Sequence, residues 1–547
     1  MCSAAETSRE VIISRPTIAR STAIMSVSTA LSRVTGFVRT WAIAYALGVT
    51  ALASSYNIAN NIPNMIYELV AGGVISSLFI PVFMEQWESS SRDDAWTFAS
   101  SVFNIATIAL AIVAVVGTLW AEPFVRTQTF TVSVADSSLA VFFFRFFAVQ
   151  IVVYGAGSVV SGILNSQRKY LWVALGPVFN NLVVIVTLLG FYVPFRQSDP
   201  QLAKIGLAVG TTLGVLAMYA VQVPALIKLR PRWSPRIAWR HPGLKAMGLM
   251  ALPTIIYVIT NLVAVSFRNA YALRVSDKGP ATLLYAWMWY QLPYGVLGVA
   301  LATAVFTELS EQSGRKDWNA FKETFARGLR ATGMLILPMA ALLVALAPQL
   351  VRLYRAGEFK ESDIPLVSGV LMWWGVALIF FATTMYLLKT FYSLKDTKTP
   401  MTVNLLLGVV HIGLYALLST GFGDWSGLGL PGIPIADAIF YAMVALTLAV
   451  LLHRKIGGYD IRGVLWALAR ITLASVAGGA AALGIVRSTP GLSLAPGGFI
   501  LQLLAAGTFG LALSFVLAYF FGVAEVAVGV NLFRRLLGRL LPRGGTR

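Results

Sequence analysis

The chain has 547 residues, 57% apolar and 12% charged, against roughly 25% charged in an ordinary soluble domain, which excludes a water-soluble enzyme. Lysine and arginine number 42 against 23 aspartates and glutamates, a net charge of +19 on a mean hydropathy of +0.75. No polar stretch is long enough to fold as a soluble basic domain, so a nucleic-acid partner is excluded and the charge belongs in loops between membrane spans. Cys2 is the only cysteine, which excludes an intramolecular disulfide, a zinc cluster and a thiol–histidine pair.

A membrane-crossing helix needs about 20 apolar residues, and about fourteen stretches qualify. They run 20–47, 52–84, 95–121, 137–165, 170–194, 203–227, 246–274, 281–307, 322–347, 365–391, 400–420, 433–453, 463–486 and 497–522. The first is too long for a signal peptide and lacks a small-residue cleavage site, so it is read as a retained span. Pro63, Pro81, Pro177, Pro253, Pro293 and Pro338 interrupt several spans, which a bundle tolerates because neighbours and local rewinding satisfy the freed carbonyls. About 28 of the positive residues fall in alternate loops and both tails, which places both termini in the cytoplasm.

The densest inside loop, Lys228 to Lys245, lies between the sixth and seventh spans. A shift of 223 residues matches Phe83, Glu85, Glu88, Ser90, Arg92, Asp94 and Phe98 with Phe306, Glu308, Glu311, Ser313, Arg315, Asp317 and Phe321. A shift of 227 pairs Ser166 and Arg168 with Ser393 and Lys395. An offset of six helices returns the chain to the same side, so the repeats are parallel, an arrangement that sets a substrate path between two lobes. The expected organisation is an inside tail (1–19), an N-lobe (20–228), a basic linker (229–245), a C-lobe (246–453), two added helices (454–522) and a basic amphipathic tail (523–547). The fold expected is all-α and polytopic, with two six-helix lobes around a central cavity plus two C-terminal helices.

Five arginines fall inside spans: Arg33, Arg39, Arg145, Arg268 and Arg470. An arginine in mid-membrane is costly, so one that stays faces a wet cavity or a partner. Arg33 and Arg39 lie about 120° apart around one helix, and Arg268 and Arg274 repeat that spacing in the seventh span. Arg274 is either a cavity residue or a snorkelling one. Arg145, within an aromatic run, is either a cavity residue or an outer-leaflet anchor. Arg470 is read as snorkelling. Carboxylates are scarce at this depth, with Glu68 and Asp437 the main candidates, so the cavity selects anions. Guanidinium binds phosphate oxygens bidentately and stays charged, which points to a phosphate or diphosphate headgroup. No GxxxxGK[ST], HExxH or GxSxG motif occurs, and no enzyme activity or bound cofactor is expected; Glu358, Glu361 and Asp363 read as a solvated loop.

The stretch Ser32-Arg33-Val34-Thr35-Gly36-Phe37-Val38-Arg39 resembles the SRxxGFxR signature of the MurJ (MviN) lipid II flippases. Further similarity lies in Ile62-Pro63-Asn64, Phe79-Ile80-Pro81-Val82-Phe83, the run from Leu292-Pro293-Tyr294-Gly295 to Gly298-Val299-Ala300, Phe391-Tyr392-Ser393 and Asp396-Thr397-Lys398-Thr399-Pro400, all in the family's order. The resemblance implies the multidrug/oligosaccharidyl-lipid/polysaccharide exporter fold, with the two extra helices forming a lipid-facing groove. It implies alternating-access transfer of an undecaprenyl-diphosphate-linked glycopeptide from the inner to the outer leaflet of the bacterial cytoplasmic membrane. By motif, Arg33 and Arg39 take cavity-arginine roles, and Ser32, Gly36, Asn61, Pro63, Glu68, Pro293, Gly295 and Gly298 supporting or gating ones.

The chain departs from the family pattern at Thr40, Ser54, Tyr67, Glu68, Gly72 and Met288, where charged or acidic residues are common; Arg268, Arg274 and Glu68 are the candidates to replace them. Membrane lipid, the lipid-linked glycopeptide and cell-wall synthesis enzymes are the expected partners, of a monomer driven by membrane potential or a counter-ion. Alternatives are a flippase for another polyprenyl-diphosphate glycan, a cation-coupled drug exporter and a non-transporting scaffold.

Overall fold

The computed structural model describes residues 15–69, 79–89, 91–133, 137–494 and 498–526. The Ala71-Gly72-Gly73 departure, most of the 1–19 tail and the amphipathic stretch of the 523–547 tail lie outside the described residues. Those described contain helices and no β-strand. In order the helices are α1 (Arg15–Leu47), α2 (Ala51–Tyr67), α3 (Ile80–Ser89), α4 (Arg92–Leu119), α5 (Ala121–Thr129), α6 (Ser138–Ser166), α7 (Tyr170–Val186), α8 (Val193–Phe195), α9 (Pro200–Ala220) and α10 (Val223–Lys228). They continue as α11 (Pro242–Val275), α12 (Gly279–Pro293), α13 (Val299–Gly314), α14 (Trp318–Ala345), α15 (Ala347–Arg352), α16 (Ile364–Ser393), α17 (Lys398–Thr420), α18 (Gly432–Lys455), α19 (Ile461–Ser488) and α20 (Gly498–Phe520).

Eleven spans within the described residues are long and apolar enough to cross a membrane. A count of fourteen would add α1, α2 with α3, and α11. Of these, α1 and α11 run 33 and 34 residues but carry the intramembrane arginines, and residues 70–78 between α2 and α3 are not described.

The chain divides into two compact units. One takes the chain up to Ala46, Ala59–Ala121 and Val141–Val258; the other takes Leu47–Ile58, Glu122–Ala140 and everything from Ile259. The first unit packs an aromatic cluster in which Phe79 stacks on Phe83 and Phe98 at 5.4 and 5.5 Å, with Trp87 and Trp96 edge-on. Its basic loop is fastened to α4: Asn104 Nδ2 donates to the Ser234 carbonyl at 2.8 Å, Trp233 Nε1 donates to Asn104 Oδ1 at 3.1 Å, and Arg232 pairs with Asp93. In the second unit Phe321, Phe325, Tyr386, Phe391, Phe440 and Leu448 form one buried core.

Helix ends explain several charged motifs. Ser91 Oγ accepts from Asp94 N and caps α4, and Asp317 Oδ1 accepts from Ala320 N and caps α14. These caps are 226 residues apart, so the 223-residue register slides by three within this loop; Asp94 stands inside its helix where Asp317 stands before its own. At the ends of α6, α13 and α16 the chain turns through Arg168, Lys316 and Lys395 at φ 57°, 58° and 58°. In each turn the next amide reaches back five residues: Lys169 to Leu164, Asp317 to Gln312 and Asp396 to Phe391, at 2.8–3.0 Å. That is the helix-terminating left-handed turn usually made by glycine, here built on cations that favour the negative end of the helix dipole. Arg168 and Lys395 are the residues paired by the 227-residue shift.

Asp396 gathers the loop before α17. It accepts from Thr399 N and Oγ1 at 3.0 and 2.8 Å and from Lys455 Nζ, at the end of α18, at 2.6 Å. Burial works to raise its pKa, but the bonds from Lys455 and Thr399 outweigh it and hold the carboxyl below its ordinary value. The C-terminal pair α19 and α20 meets through small residues. A Cβ on Gly478 would lie 2.0 Å from Ser514 Oγ and 2.3 Å from the Gly510 carbonyl, whereas one on Gly484 meets nothing within 4 Å, the close backbone approach that small residues give membrane helices.

Two outcomes follow. In detergent, Gly478→Ala should cost about 1–3 kcal/mol by overpacking, while Gly484→Ala is neutral or stabilising by up to about 1 kcal/mol; thermal unfolding reads the difference. Asp396→Asn should cost about 1–2 kcal/mol at neutral pH, after allowance for the half-exposed Lys455. Because the native carboxyl titrates below its unfolded value, that stabilisation is present above the unfolded pKa and lost as pH falls through the native one. The melting curves of the wild type and the Asp396→Asn variant should therefore converge in acid.

Candidate functional site

On α1, Val27, Leu31, Val34 and Val38 are exposed and form one stripe at helical spacing. Arg33 and Arg39 lie about 130° and 110° around the helix from that stripe, one on each flank. Arg33 is exposed and Arg39 half-buried, and neither forms an ion pair with a described residue. The backbone between them is braced from α7: Asn181 Nδ2 donates to Thr35 Oγ1 at 3.0 Å and to the Ser32 carbonyl at 3.5 Å, and lies 3.6 Å from where a Cβ on Gly36 would sit. Thr40, where the family often has an acid, is buried and turns its hydroxyl back to the Gly36 carbonyl at 3.1 Å.

Further along the first unit, Pro63 is buried, Asn61 half-buried and Glu68 exposed. Tyr154 donates to Asn64 Oδ1 at 2.9 Å and its ring lies 4.8 Å from that of Tyr67 and 6.3 Å from that of Tyr219. This tyrosine cluster joins α2, α6 and α9, and no motif announced it. Arg145 is exposed on α6, on the face away from the buried Phe143, Phe144 and Phe147.

In the second unit Arg268 is half-buried, with its guanidinium 5.2 Å from the centre of the Trp287 ring. Its Nε is buried without a hydrogen-bond partner among the described residues. Arg274, in the last turn of α11, is exposed. The first turns of α2, and Gly48 just before it, are tied to α12: Ser54 Oγ accepts from Ala281 N at 3.2 Å, Asn57 Nδ2 donates to the Pro280 carbonyl at 3.0 Å and Tyr285 donates to the Gly48 carbonyl at 2.7 Å. Ser54 thus caps a helix where the family often places a charge. After Pro293, which cannot donate, residues Tyr294–Gly298 wind as a π-helix; a Cβ on Gly298 would lie 2.4 Å from the Tyr294 ring. Gly295 lies within that segment.

Asp437, the intramembrane acid of α18, is buried with both oxygens engaged. Trp374 Nε1 donates to Oδ2 at 2.7 Å; His411 Nε2, at 2.9 Å, and the Tyr415 hydroxyl share Oδ1. Arg470 is half-buried and donates to the Phe521 carbonyl at 3.0 Å. Outside the spans, Glu361 pairs with Arg355 at 2.8 Å and Asp363 accepts from Lys360 N at 3.0 Å, so two of the three loop carboxylates are held in local pairings.

An apolar groove of about 860 Å³ opens between α12, α14 and α20, lined by Leu292, Val296, Leu342, Leu346, Leu503 and Leu511 among others. Its length of leucine suits an acyl or polyprenyl chain.

These features define an integral membrane protein of the exporter fold. The solved structure of a lipid II flippase MurJ in an inward-closed conformation aligns with 91% of this chain and 98% of its own, at TM-score 0.72 and 21% identity. An inward-facing multidrug-resistance MATE transporter of the MOP superfamily aligns at TM-score 0.64 and 18% identity, over 79% of this chain and 94% of its own.

The family model described as lipid II flippase MurJ matches residues 43–496, and the chain belongs to that family. A probable lipid II flippase MurJ of Vibrio cholerae is 28% identical over 491 residues, covering 85% of this chain and 88% of that one. A lipid II flippase MurJ of Burkholderia cenocepacia is 28% identical over 399 residues, or 71% and 76% of the two chains. The matched range begins after Arg39, so the α1 arginines stand on the motif resemblance and their geometry.

Proposed function

We propose that this chain moves lipid II, an undecaprenyl-diphosphate-linked glycopeptide, from the inner to the outer leaflet of the bacterial cytoplasmic membrane. The observation that carries this reading is the match of the MurJ family model over 43–496. The chemistry of the intramembrane arginines supports it: Arg33 and Arg39 lack an ion-pair partner among the described residues, and Arg268 keeps an unpartnered Nε. In low dielectric such guanidinium groups bind a diphosphate strongly and in a fixed orientation. Arg33 and Arg39 of the first unit, and Arg268 of the second, are each suited to bind phosphate oxygens, while Arg274 and Arg145, exposed on their helices, serve as peripheral anion contacts.

The polyprenyl tail lies in the apolar groove beside α20. Alternating access moves the headgroup, no covalent bond of the lipid changes, and both termini stay in the cytoplasm with the chain acting as a monomer beside the cell-wall enzymes that use its product. The membrane potential supplies about 2.3 kcal/mol per charge per 100 mV. A drug-exporter reading needs a carboxylate free to take a cation, whereas both Asp437 oxygens are occupied by protein donors.

The test is lipid II accessibility at the outer leaflet in cells whose only flippase is this chain. Arg268→Ala should reduce it at least tenfold, a loss of about 1.4 kcal/mol or more of headgroup binding, with normal membrane insertion; Arg268→Lys, which keeps charge without the bidentate fork, should be intermediate. Full export by Arg268→Ala together with Arg33→Ala would contradict the arginine assignment, and unchanged lipid II translocation after depletion would contradict the cargo.

A further inference from the structure

The basic segment between α10 and α11 is built as more than a topological signal. Residues 230–240 hold four arginines and two tryptophans, and they are laid along α4 instead of running free in solvent. Ser234 N donates to Ser100 Oγ at 3.2 Å and Ala238 N to Ser101 Oγ at 3.0 Å, beside the bonds of Asn104 to Trp233 and to the Ser234 carbonyl. With the backbone held in this way, Trp233 and Trp239 remain 58% and 72% exposed. A loop kept only for its charge has no need to be fastened down or to present indoles, which belong at the membrane–water boundary.

Behind the loop lies an apolar cleft of about 250 Å³, walled by Trp96 and Phe103 of α4, Val160 and Ile163 of α6, Leu226 of α10 and Trp233. Its lining hydroxyl, from Ser100, is already taken by Ser234 N. The cleft is several times the roughly 30 Å³ share of a water molecule, and apolar walls do not hold water, so a hydrocarbon chain is the occupant it suits. The helices meet here at one end: α4 begins at Arg92, α6 ends at Ser166 and α10 at Lys228, all on the side that positive loops place in the cytoplasm. Cations stand around that end. Arg168 lies five residues past Ile163, Lys228 two past Leu226 and Arg230 next to Pro231, itself a lining residue; all three are exposed and pair with no carboxylate among the described residues. The acids at the start of α4 have other partners, Asp93 pairing with Arg232 and Asp94 facing His241 at 3.5 Å.

We propose that this cleft binds one acidic phospholipid of the inner leaflet, with an acyl chain among the aromatic rings and the phosphate held by Arg168, Lys228 and Arg230. A zwitterionic lipid could fill the cleft but brings no net charge to the three cations, so the selection is by charge. Bound there, the lipid packs α4, α6, α10 and the linker between the two repeats into one closed end. The inference rests on the inward orientation of that end and on no particular cargo.

The full chain has one cysteine, Cys2, so Cys2→Ser with Pro231→Cys places a single bimane label at the rim of the cleft. The vesicles hold phosphatidylcholine and phosphatidylglycerol in equal parts, with brominated acyl chains on one or the other. Expected is quenching by brominated phosphatidylglycerol at least about fivefold more effective than by brominated phosphatidylcholine, the factor that one surface cation supplies. A bimane on Ile108→Cys, on the lipid-exposed part of α4, should not discriminate between them. Arg168→Asn and Arg230→Asn, which suit the left-handed backbone at φ 57° and 51°, combined with Lys228→Gln, should reduce the preference at the cleft to that at Ile108→Cys.

Equal quenching by the two lipids at Pro231→Cys overturns the proposal without recourse to the charge variant, so the test decides even if that variant fails to fold. A preference of the same size at both labels means that the basic chain only gathers acidic lipid around itself, and overturns the site as well. A preference at the cleft that survives loss of the three cations overturns their assignment as the phosphate ligands.

Discussion

An ionised side chain inside a membrane helix must find a counter-charge, a set of donors or water, because hydrocarbon supplies none of them. The second unit meets this requirement at Asp437 with three side-chain donors drawn from α16 and α17, and the surrounding rings of Trp374, Tyr290 and Phe440 pack around that polar centre. The arginines meet it differently. Arg268 rests on a tryptophan face with one nitrogen unsatisfied, and Arg33 and Arg39 flank the apolar stripe of α1 with no paired carboxylate among the described residues. Among the described residues, then, the main buried acid is satisfied within the protein, while the arginines of α1 and α11 are paired with no carboxylate.

The loops obey the same electrostatics at lower cost. Asp317 and Asp460 cap α14 and α19, where the helix dipole favours an acid, while Arg168, Lys316 and Lys395 turn the chain at helix C-termini. Lys455 closes the end of α18 onto Asp396. Several of the loop lysines and arginines are thus the residues that end helices, so these charges have a local structural use.

Most of the fold was legible because span length is dictated by membrane thickness: apolar runs of about 20 residues have few other uses. The match of Arg168 with Lys395 was legible because a terminating turn constrains its sequence, and that of Asp94 with Asp317 was blurred because the helix caps beside them, Ser91 and Asp317, lie 226 rather than 223 residues apart. What stayed hidden was long-range polar pairing. Nothing in the sequence connects His411 and Tyr415 to Asp437 or Ser54 to Ala281, since a hydrogen bond between helices requires only that two faces meet. Pro293 signalled a disturbed helix, but the π-winding it produces depends on neighbours that the sequence does not name. The arginine candidates were found by type and depth alone, and their geometry adds exposure, bracing by Asn181 and the tryptophan beneath Arg268.

The central proposal is that the guanidinium groups of Arg33, Arg39 and Arg268, which pair with no carboxylate among the described residues, bind a lipid diphosphate. The most direct measurement is the affinity of the purified protein for lipid II set against undecaprenol, which has the same tail and no charge, for the wild type and for the chain with Arg33, Arg39 and Arg268 replaced by alanine. The account predicts that the wild type prefers the diphosphate lipid by at least about a hundredfold, roughly 2.8 kcal/mol, and that the triple variant loses this preference while retaining its hold on the tail. Equal affinity of the wild type for both lipids, or an unchanged preference in the triple variant, would contradict it.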